Sequence, residues 1–229
     1  STGFRSPNID DYGKVFVKRG DMVIPNPDLT PEYAYNTEGS ITKTWNYVSL
    51  AGTVYNTFLR DAITKQDLGY TEIHEDEEVN VQTLMNTKEA YVRGVSLVGK
   101  YEPLKALYFE SSFNLQEGYD ISNDEPLGHI PPAYGKFLTR LKFKKFEGKF
   151  WYDYALPKLL EDANDATDNT DLATEEGWPF WYTFNISMAY KFHKGLTVQI
   201  GLENLMDLHY RTFSSGLSAP GRNVIIKAQ

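Results

Sequence analysis

Few side chains in this sequence are spaced for covalent or metal chemistry. Its four histidines, His74, His129, His193 and His209, are scattered, with no spacing that would gather ligands around an ion. Cysteine is absent, which removes thiolate nucleophiles, disulfide frameworks and cysteine-held metals. The stretch Gly94-Val95-Ser96-Leu97-Val98-Gly99 misses the nucleophile-elbow spacing by one residue, and it falls inside an alternating run rather than at a strand-to-helix turn. No phosphate-cradling glycine loop is present. The acidic run Asp162, Asn164, Asp165, Asp168, Asn169 and Asp171 could collect oxygen ligands for calcium. It lacks the glycine and the closing glutamate of an EF-hand loop, so a plain acidic loop is the simpler reading. Trp178, Trp181 and Tyr182 could stack on sugar rings, which is the chemistry of a soluble all-β carbohydrate-binding module. At the outer end of a membrane strand the same residues would form an interfacial aromatic belt. An enzyme is therefore not expected: no catalytic residue, metal or cofactor is assigned.

The composition narrows the setting. The chain has 229 residues, 41% apolar and 14% aromatic, with 16 Tyr and 13 Phe. That length suits one or two domains, and the aromatic richness suits strands and membrane-interface girdles. A net charge of −8 argues against nucleic acid as a partner. No apolar run is long enough for a transmembrane helix, a test to which barrel strands are invisible. The opening Ser1-Thr2-Gly3-Phe4 is neither basic nor followed by an apolar core, so it does not read as a signal peptide.

The strongest pattern is near the end. Phe180, Tyr182, Phe184, Ile186, Met188, Tyr190 and Phe192 alternate with Trp181, Thr183, Asn185, Ser187, Ala189 and Lys191. After His193-Lys194-Gly195 the alternation resumes, with Leu196, Val198, Ile200 and Leu202 against Thr197, Gln199, Gly201 and Glu203. Period two predicts an antiparallel hairpin with one apolar and one polar face. At ~3.3 Å per residue its first arm would reach ~40 Å, about twice the usual soluble strand. Even tilted by ~40° it crosses the ~25 Å apolar band of an outer membrane. The apolar set is expected to face lipid and the polar set, Glu203 included, the lumen.

Upstream, residues 1–32 are rich in Pro, Asn, Asp and Gly and read as a structured loop. Strands are predicted at 33–43 and 46–60, at 80–101 with a possible bulge at Gly94, at 105–116, at 133–144 and from Phe150 to Leu156, and finally from Arg222, giving about nine in all. Long connections (62–79, 117–133, 157–179, 206–221) alternate with short turns near 44, 103, 147 and 194. The first three long loops carry 6, 4 and 7 acidic residues against only Lys65 and Lys158. The turn regions instead carry Lys43, Lys105, Lys144, Lys145, Lys149, Lys191 and Lys194. Long loops at one end and short turns at the other are the habit of outer-membrane barrels.

Three stretches carry a family resemblance. Gly201-Leu202-Glu203-Asn204-Leu205-Met206-Asp207, then Tyr210, then Ala219-Pro220-Gly221-Arg222-Asn223, resembles the C-terminal end of TonB-dependent outer-membrane receptors. Phe4-Arg5-Ser6-Pro7-Asn8-Ile9-Asp10-Asp11 is similar to their "FRAPN" stretch, and Asn26-Pro27-Asp28-Leu29-Thr30-Pro31-Glu32 to their "NPxLxPE" stretch. The resemblance implies that residues 1–229 are the C-terminal portion of an all-β, antiparallel transmembrane barrel of roughly 22 strands around a plug. The plug domain and the N-terminal strands would then lie outside this chain.

What the family does becomes the expected function: active uptake, across the bacterial outer membrane, of a nutrient such as a ferric siderophore, a cobalamin or a glycan. The implied partners are the TonB complex, reached through the missing plug, the N-terminal part of the same barrel, outer-membrane lipid and the transported molecule. Arg5, Asn8, Asp11 and Trp178 are rim candidates for substrate contact. Asn26, Asp28 and Glu32 lead into the strand at 33. Asn204, Tyr210, Gly221 and Arg222 look structural, Gly221 by allowing a backbone conformation closed to other residues. Haem receptors of the family share both N-terminal boxes and typically carry a histidine between them; residues 8–25 have none, which counts against haem.

Two expectations concern the ends. The strand at 33–43 and the last strand would each lack a neighbour inside this chain, so both edges should pair with another part of the receptor. Val224, Ile226 and Ala228 share the apolar face, and the natural protein is expected to continue past Gln229 with an aromatic residue at position 230.

Overall fold

A computed structural model describes residues 1–18, 20–86, 89–165, 167–193 and 195–228. The chain divides into two compact units. One comprises residues 1–37, 56–93 and 118–127, the other residues 38–55, 94–117 and 128–229.

The first unit holds most of what the sequence hid. Residues 1–32, expected as a loop, contain β1 (Thr2–Arg5), α1 (Ile9–Gly13), β2 (Phe16–Lys18) and β3 (Asp21–Ile24). Each is too short to show a period. Asn8 caps α1, accepting the N–H groups of Asp10 and Asp11, while the Asp11 carboxylate accepts the N–H of Asn8. Residues 62–79 also differ from expectation. They form most of a hairpin, β6 (Ile63–His74) and β7 (Glu77–Asn86), rather than a loop. The turn between its arms places Glu75 at φ 50° and Asp76 at φ 66°, the two left-handed positions that a tight hairpin requires. Acidic side chains on both faces of the distal arms erased the alternation that would have revealed the strands. A four-stranded sheet results, in the order β2-β3-β7-β6. β3 runs parallel to β7, from Asp21 opposite Asn80 to Ile24 opposite Thr83. Met22, Val79 and Val81 form its buried core, with Ile24 packed against them.

The second sheet accounts for the nine predicted strands. They are β4 (Glu32–Thr44), β5 (Val48–Arg60), β8 (Glu89–Leu104), β9 (Leu107–Asp120), β11 (Tyr134–Phe143), β12 (Phe146–Ala155), β13 (Trp181–His193), β14 (Leu196–Glu203) and β15 (Asn223–Ala228). The run predicted as one strand over 80–101 is therefore split between β7 and β8. The hydrogen-bonded order is β1-β4-β5-β8-β9-β11-β12-β13-β14-β15, with the two-residue β10 (Glu125–Pro126) paired to β9. The order begins at β1 and finishes at β15, so this sheet is not closed. One expectation about its edges needs correction: β1 occupies the upstream side of β4 along Glu32–Tyr35. The turn residue Lys194 and the terminal Gln229 lie outside the described residues.

Register in the second unit sorts the side chains cleanly. Phe150 lies opposite Ile186, which lies opposite Leu202, which lies opposite Val224. One face thus collects Leu107, Phe109, Phe113, Phe137, Leu141, Phe150, Tyr152, Phe184, Ile186, Met188, Ile200 and Ile226. The other collects Tyr108, Glu110, Lys136, Arg140, Glu147, Lys149, Asp153, Thr183, Asn185, Gln199 and Glu203. Exposure runs opposite to a soluble fold: Met188 and Ile200 are each 50% exposed, whereas Thr183, Asn185 and Ser187 are 4%, 3% and 6% exposed. A sheet that hides hydroxyls and amides while presenting aliphatic and aromatic side chains outward is built for an apolar solvent.

Gly94 sits inside β8 for a steric reason. A Cβ there would strike the Tyr55 hydroxyl and approach the backbone oxygen of Leu115 to 2.7 Å. Tyr55 crosses this gap to donate its hydroxyl proton to Gln116 Oε1 at 3.0 Å.

Candidate functional site

Three connections of the second unit, residues 128–133, 156–180 and 204–222, meet at the ends of β11–β14. The last is organised by Asn204. Its backbone N–H reaches Asn185 Oδ1 at 2.8 Å, and its own amide is used completely. Oδ1 accepts the Leu208 N–H at 2.9 Å, while Nδ2 donates to the carbonyls of Leu208 and Pro220 at 2.9 and 3.2 Å. Asn204 is 3% exposed and has φ 50°, a left-handed conformation that asparagine tolerates. Asp207 Oδ1 then accepts the Arg222 N–H at 2.7 Å, and Arg222 Nε donates to the Leu205 carbonyl at 3.1 Å. Gly221 matters here for space. It is not among the glycines of positive φ, which corrects the conformational role expected of it, but a Cβ at this position would sit 2.8 Å from Asp207 Oδ1.

The middle connection is tied down by a buried carboxylate, Asp168, and a half-buried ammonium, Lys158. The Asp168 carboxylate, fully shielded from solvent, accepts the backbone N–H of His129 at 2.8 Å and of Asn164 at 3.1 Å. His129 Nδ1 lies 3.4 Å from the same carboxylate and 2.9 Å from Ser214 Oγ. This is not a hydrolytic triad, because one imidazole nitrogen faces both partners, whereas a relay needs one nitrogen for each. Among the described residues no group of three or more His, Cys, Asp or Glu is arranged to hold a metal ion. Lys158 donates to the Ile130 carbonyl at 2.6 Å and lies 4.8 Å from the centre of the Phe213 ring. Burial pushes its ammonium below the ordinary lysine value, against the opposing pull of Asp168 and Asp162.

Trp178 is buried at 4% exposure, packed edge-on against Phe213 at 4.6 Å. It is thus not open at a rim, as a sugar-stacking or girdle residue would be. Trp181 stacks on Tyr210 at 4.5 Å. Burial, with Asp153 and Glu203 adding to it, raises the Tyr210 phenol above its ordinary range.

Between these loops and the polar face lies a cavity of about 610 Å³, bounded by Pro131, Pro132, Tyr134, Trp181, Tyr210 and Phe213. Lys136 and Asp153 on its floor form an ion pair at 3.4 Å. Asp153 also receives the Asn185 amide at 3.2 Å. The lining joins the rings of Tyr134, Tyr154, Trp181, Tyr210 and Phe213 to one charged pair, which suits binding of a ligand.

The match to known proteins follows this architecture. The family model described as "TonB dependent receptor-like, beta-barrel" matches residues 1–205. The chain belongs to this family of TonB-dependent receptor barrels. Over 95% of its length it is 25% identical to the probable hemoglobin and hemoglobin-haptoglobin-binding protein 4 of Haemophilus influenzae. Over 94% it is 21% identical to transferrin-binding protein A of Neisseria meningitidis serogroup B. The chain spans only 24% and 26% of those two relatives. Among solved structures, the copper transporter OprC aligns with 99% of this chain and 35% of its own, at TM-score 0.78 and 16% identity. The siderophore receptor PirA of Acinetobacter baumannii aligns with 97% and 37%, at TM-score 0.74 and 16% identity.

In this TonB-dependent receptor barrel the N-terminal boxes serve the first unit. Arg5 Nε binds Glu32 Oε1 at 2.7 Å, and Arg5 lies 3.6 Å from Asp11. The second Glu32 oxygen accepts the Ile63 N–H at 2.9 Å. Asn26 donates to the Leu84 carbonyl at 2.9 Å and accepts the Asp28 N–H at 2.9 Å. Thus Arg5, Asn8 and Asp11, named as rim contacts, already have partners in a helix cap and an ion-pair network, and Asn26 and Glu32 fasten the β6–β7 hairpin.

Sequence reasoning missed Phe213 and the Lys136–Asp153 pair, and it read Asp168 only as one of six possible calcium ligands and Lys158 only as a loop charge. Asp168 stood in an acidic run with nothing to separate it from its solvated neighbours. The alternation of β11 and β12 did put Lys136 and Asp153 on one face, but only register puts them side by side.

Proposed function

We propose that this chain forms the C-terminal part of the barrel of a bacterial outer-membrane active transporter. TonB would energise it through a plug domain elsewhere in the protein, and its cargo would be a scarce nutrient of the ferric siderophore, cobalamin or glycan kind. The observation that carries this reading is the two-faced sheet: aliphatic and aromatic side chains exposed on one face, buried polar groups on the other, and a strand order that ends without closing. β15 and the free length of β4 would pair with the remaining strands, since an open edge cannot face hydrocarbon. The polar face, with Lys100, Glu110, Lys136, Arg140 and Asp153, would meet the plug. Relatives named for hemoglobin and transferrin, and neighbours named for siderophore and iron transport, favour iron as the element delivered. The absence of a histidine between the N-terminal boxes favours a ferric complex over haem.

The test is uptake of radioactive iron by cells carrying or lacking the full receptor gene. Loss of uptake from at least one ferric source, abolished equally by a proton uncoupler, is expected. Undiminished uptake from every ferric source, together with a protein that is soluble without detergent, would overturn the proposal.

A further inference from the structure

Four lysines on the polar face of the second unit are paired with carboxylates: Lys100 with Glu110 at 3.7 Å, Lys136 with Asp153 at 3.4 Å, and Lys142 and Lys149 with Glu147 at 3.2 and 3.1 Å. Those at the short turns are not. Lys43, Lys105, Lys144 and Lys145 are exposed, and among the described residues none has a carboxylate within ion-pair distance. Two of them stand against exposed aromatic rings. Lys43 lies 6.0 Å from the centre of the Trp45 ring, and Lys144 lies 5.3 Å from that of Phe143. Lys145 donates to the Phe192 carbonyl at 3.0 Å. Trp45, Tyr47, Leu104, Phe143 and Phe192 are 50%, 59%, 64%, 61% and 50% exposed.

We propose that the short-turn end of the sheet binds anionic phospholipid headgroups through Lys43, Lys105, Lys144 and Lys145. The inference rests on the membrane-spanning reading above and goes beyond it. Its basis is charge complementarity together with continuity: the uncompensated ammonium groups adjoin the rim of the same apolar face that meets hydrocarbon. Aromatic rings settle at headgroup depth, and lysine stems lie along apolar surface while their charges reach the phosphate layer. A lysine near an anionic membrane surface strengthens binding roughly five-fold. A free anion has no use for the flanking rings, whereas a lipid uses both. The opposite end of the strands is acidic, so the preference belongs to one leaflet, which under the proposed function is the periplasmic one.

Native mass spectrometry of the detergent-purified full receptor tests this, with dioleoyl-phosphatidylglycerol and dioleoyl-phosphatidylcholine added in turn. Retention of phosphatidylglycerol should exceed that of phosphatidylcholine by roughly ten-fold or more, and the excess should shrink as ammonium acetate rises. In the combined Lys43→Gln, Lys105→Gln, Lys144→Gln, Lys145→Gln variant the preference should vanish. Lys100→Gln with Lys149→Gln should leave it intact. Equal retention of the two lipids by the natural protein, an unchanged preference in the four-lysine variant, or displacement of the lipid by equimolar inorganic phosphate would each overturn the inference. Detergent-dependent extraction and heat-modifiable migration report insertion separately. A receptor that inserts but shows no lipid preference therefore fails this inference alone.

Discussion

Asn185 Oδ1 accepts the backbone N–H of Asn204 at 2.8 Å, joining the middle of one long strand to the first residue beyond its neighbour. Asn204 in turn holds Leu208 and Pro220. Asn204→Ala leaves buried backbone groups unpaired, at about 1–3 kcal/mol, and puts alanine at a positive φ. Asn204→Gly keeps the conformation and loses only the side-chain bonds. Urea unfolding of the full receptor should therefore rank natural protein above Asn204→Gly above Asn204→Ala. Equal stability of all three would mean that Asn204 does not organise the 204–222 loop.

Gly221 and Asp207 should be energetically coupled. Gly221→Ala introduces a methyl 2.8 Å from the Asp207 carboxylate, which the Arg222 N–H holds in place. In an Asp207→Ala background that crowding is gone. A double-mutant cycle should give a coupling on the order of 0.5–3 kcal/mol; strict additivity would refute it.

The nine strands and their two faces were legible because each membrane strand repeats a two-residue period for ten or so residues. Where the period fails, the sequence fell silent. β6 places Asp67, Glu72 and His74 among Leu68, Tyr70 and Ile73, and its register shifts between Asp67 and Thr71, so neither face reads as apolar. The site was less legible still. Asn204, Asp207, Gly221 and Arg222 could be named as a motif, but their shared hydrogen bonds cross more than a dozen residues of loop. Trp178 misled because a tryptophan near a strand end suggests an exposed belt, and only the fold supplies Phe213 as its cover.

Lys158 should respond to alkali in a defined direction. Burial lowers its pKa from the ordinary 10.5, so between the two values the unfolded chain binds more protons than the folded one. Stability of the loop cluster should therefore rise with pH across that window. Competitive acetylation should find Lys158 deprotonated at lower pH in the folded receptor than in the urea-unfolded chain. A Lys158 titration that is the same in the folded and unfolded protein would contradict the burial argument.

Adjacent residues of β14 should tolerate charge very differently. Ile200→Arg places a guanidinium on the apolar face, costing on the order of 2–4 kcal/mol at mid-membrane. Gln199→Arg places it on the polar face and should be nearly neutral. Refolding into lipid vesicles reads the difference, and a reversed order would mean that the faces are inverted.

From β8 to β15, leaving aside the two-residue β10, spatial order in the sheet follows chain order. Every strand in this stretch finds its partner in the strand just before it, so the sheet can grow hairpin by hairpin with little loop entropy to overcome at each step. Two seams upstream break the pattern, β1–β4 and β5–β8. After β5 the chain leaves to form β6 and β7 in the other sheet before β8 returns to β5. That junction closes the longest detour and must wait for the hairpin to be made. In a membrane, where an unpaired edge is so costly, the β5–β8 seam is the step at which assembly would stall if the β6–β7 hairpin could not form.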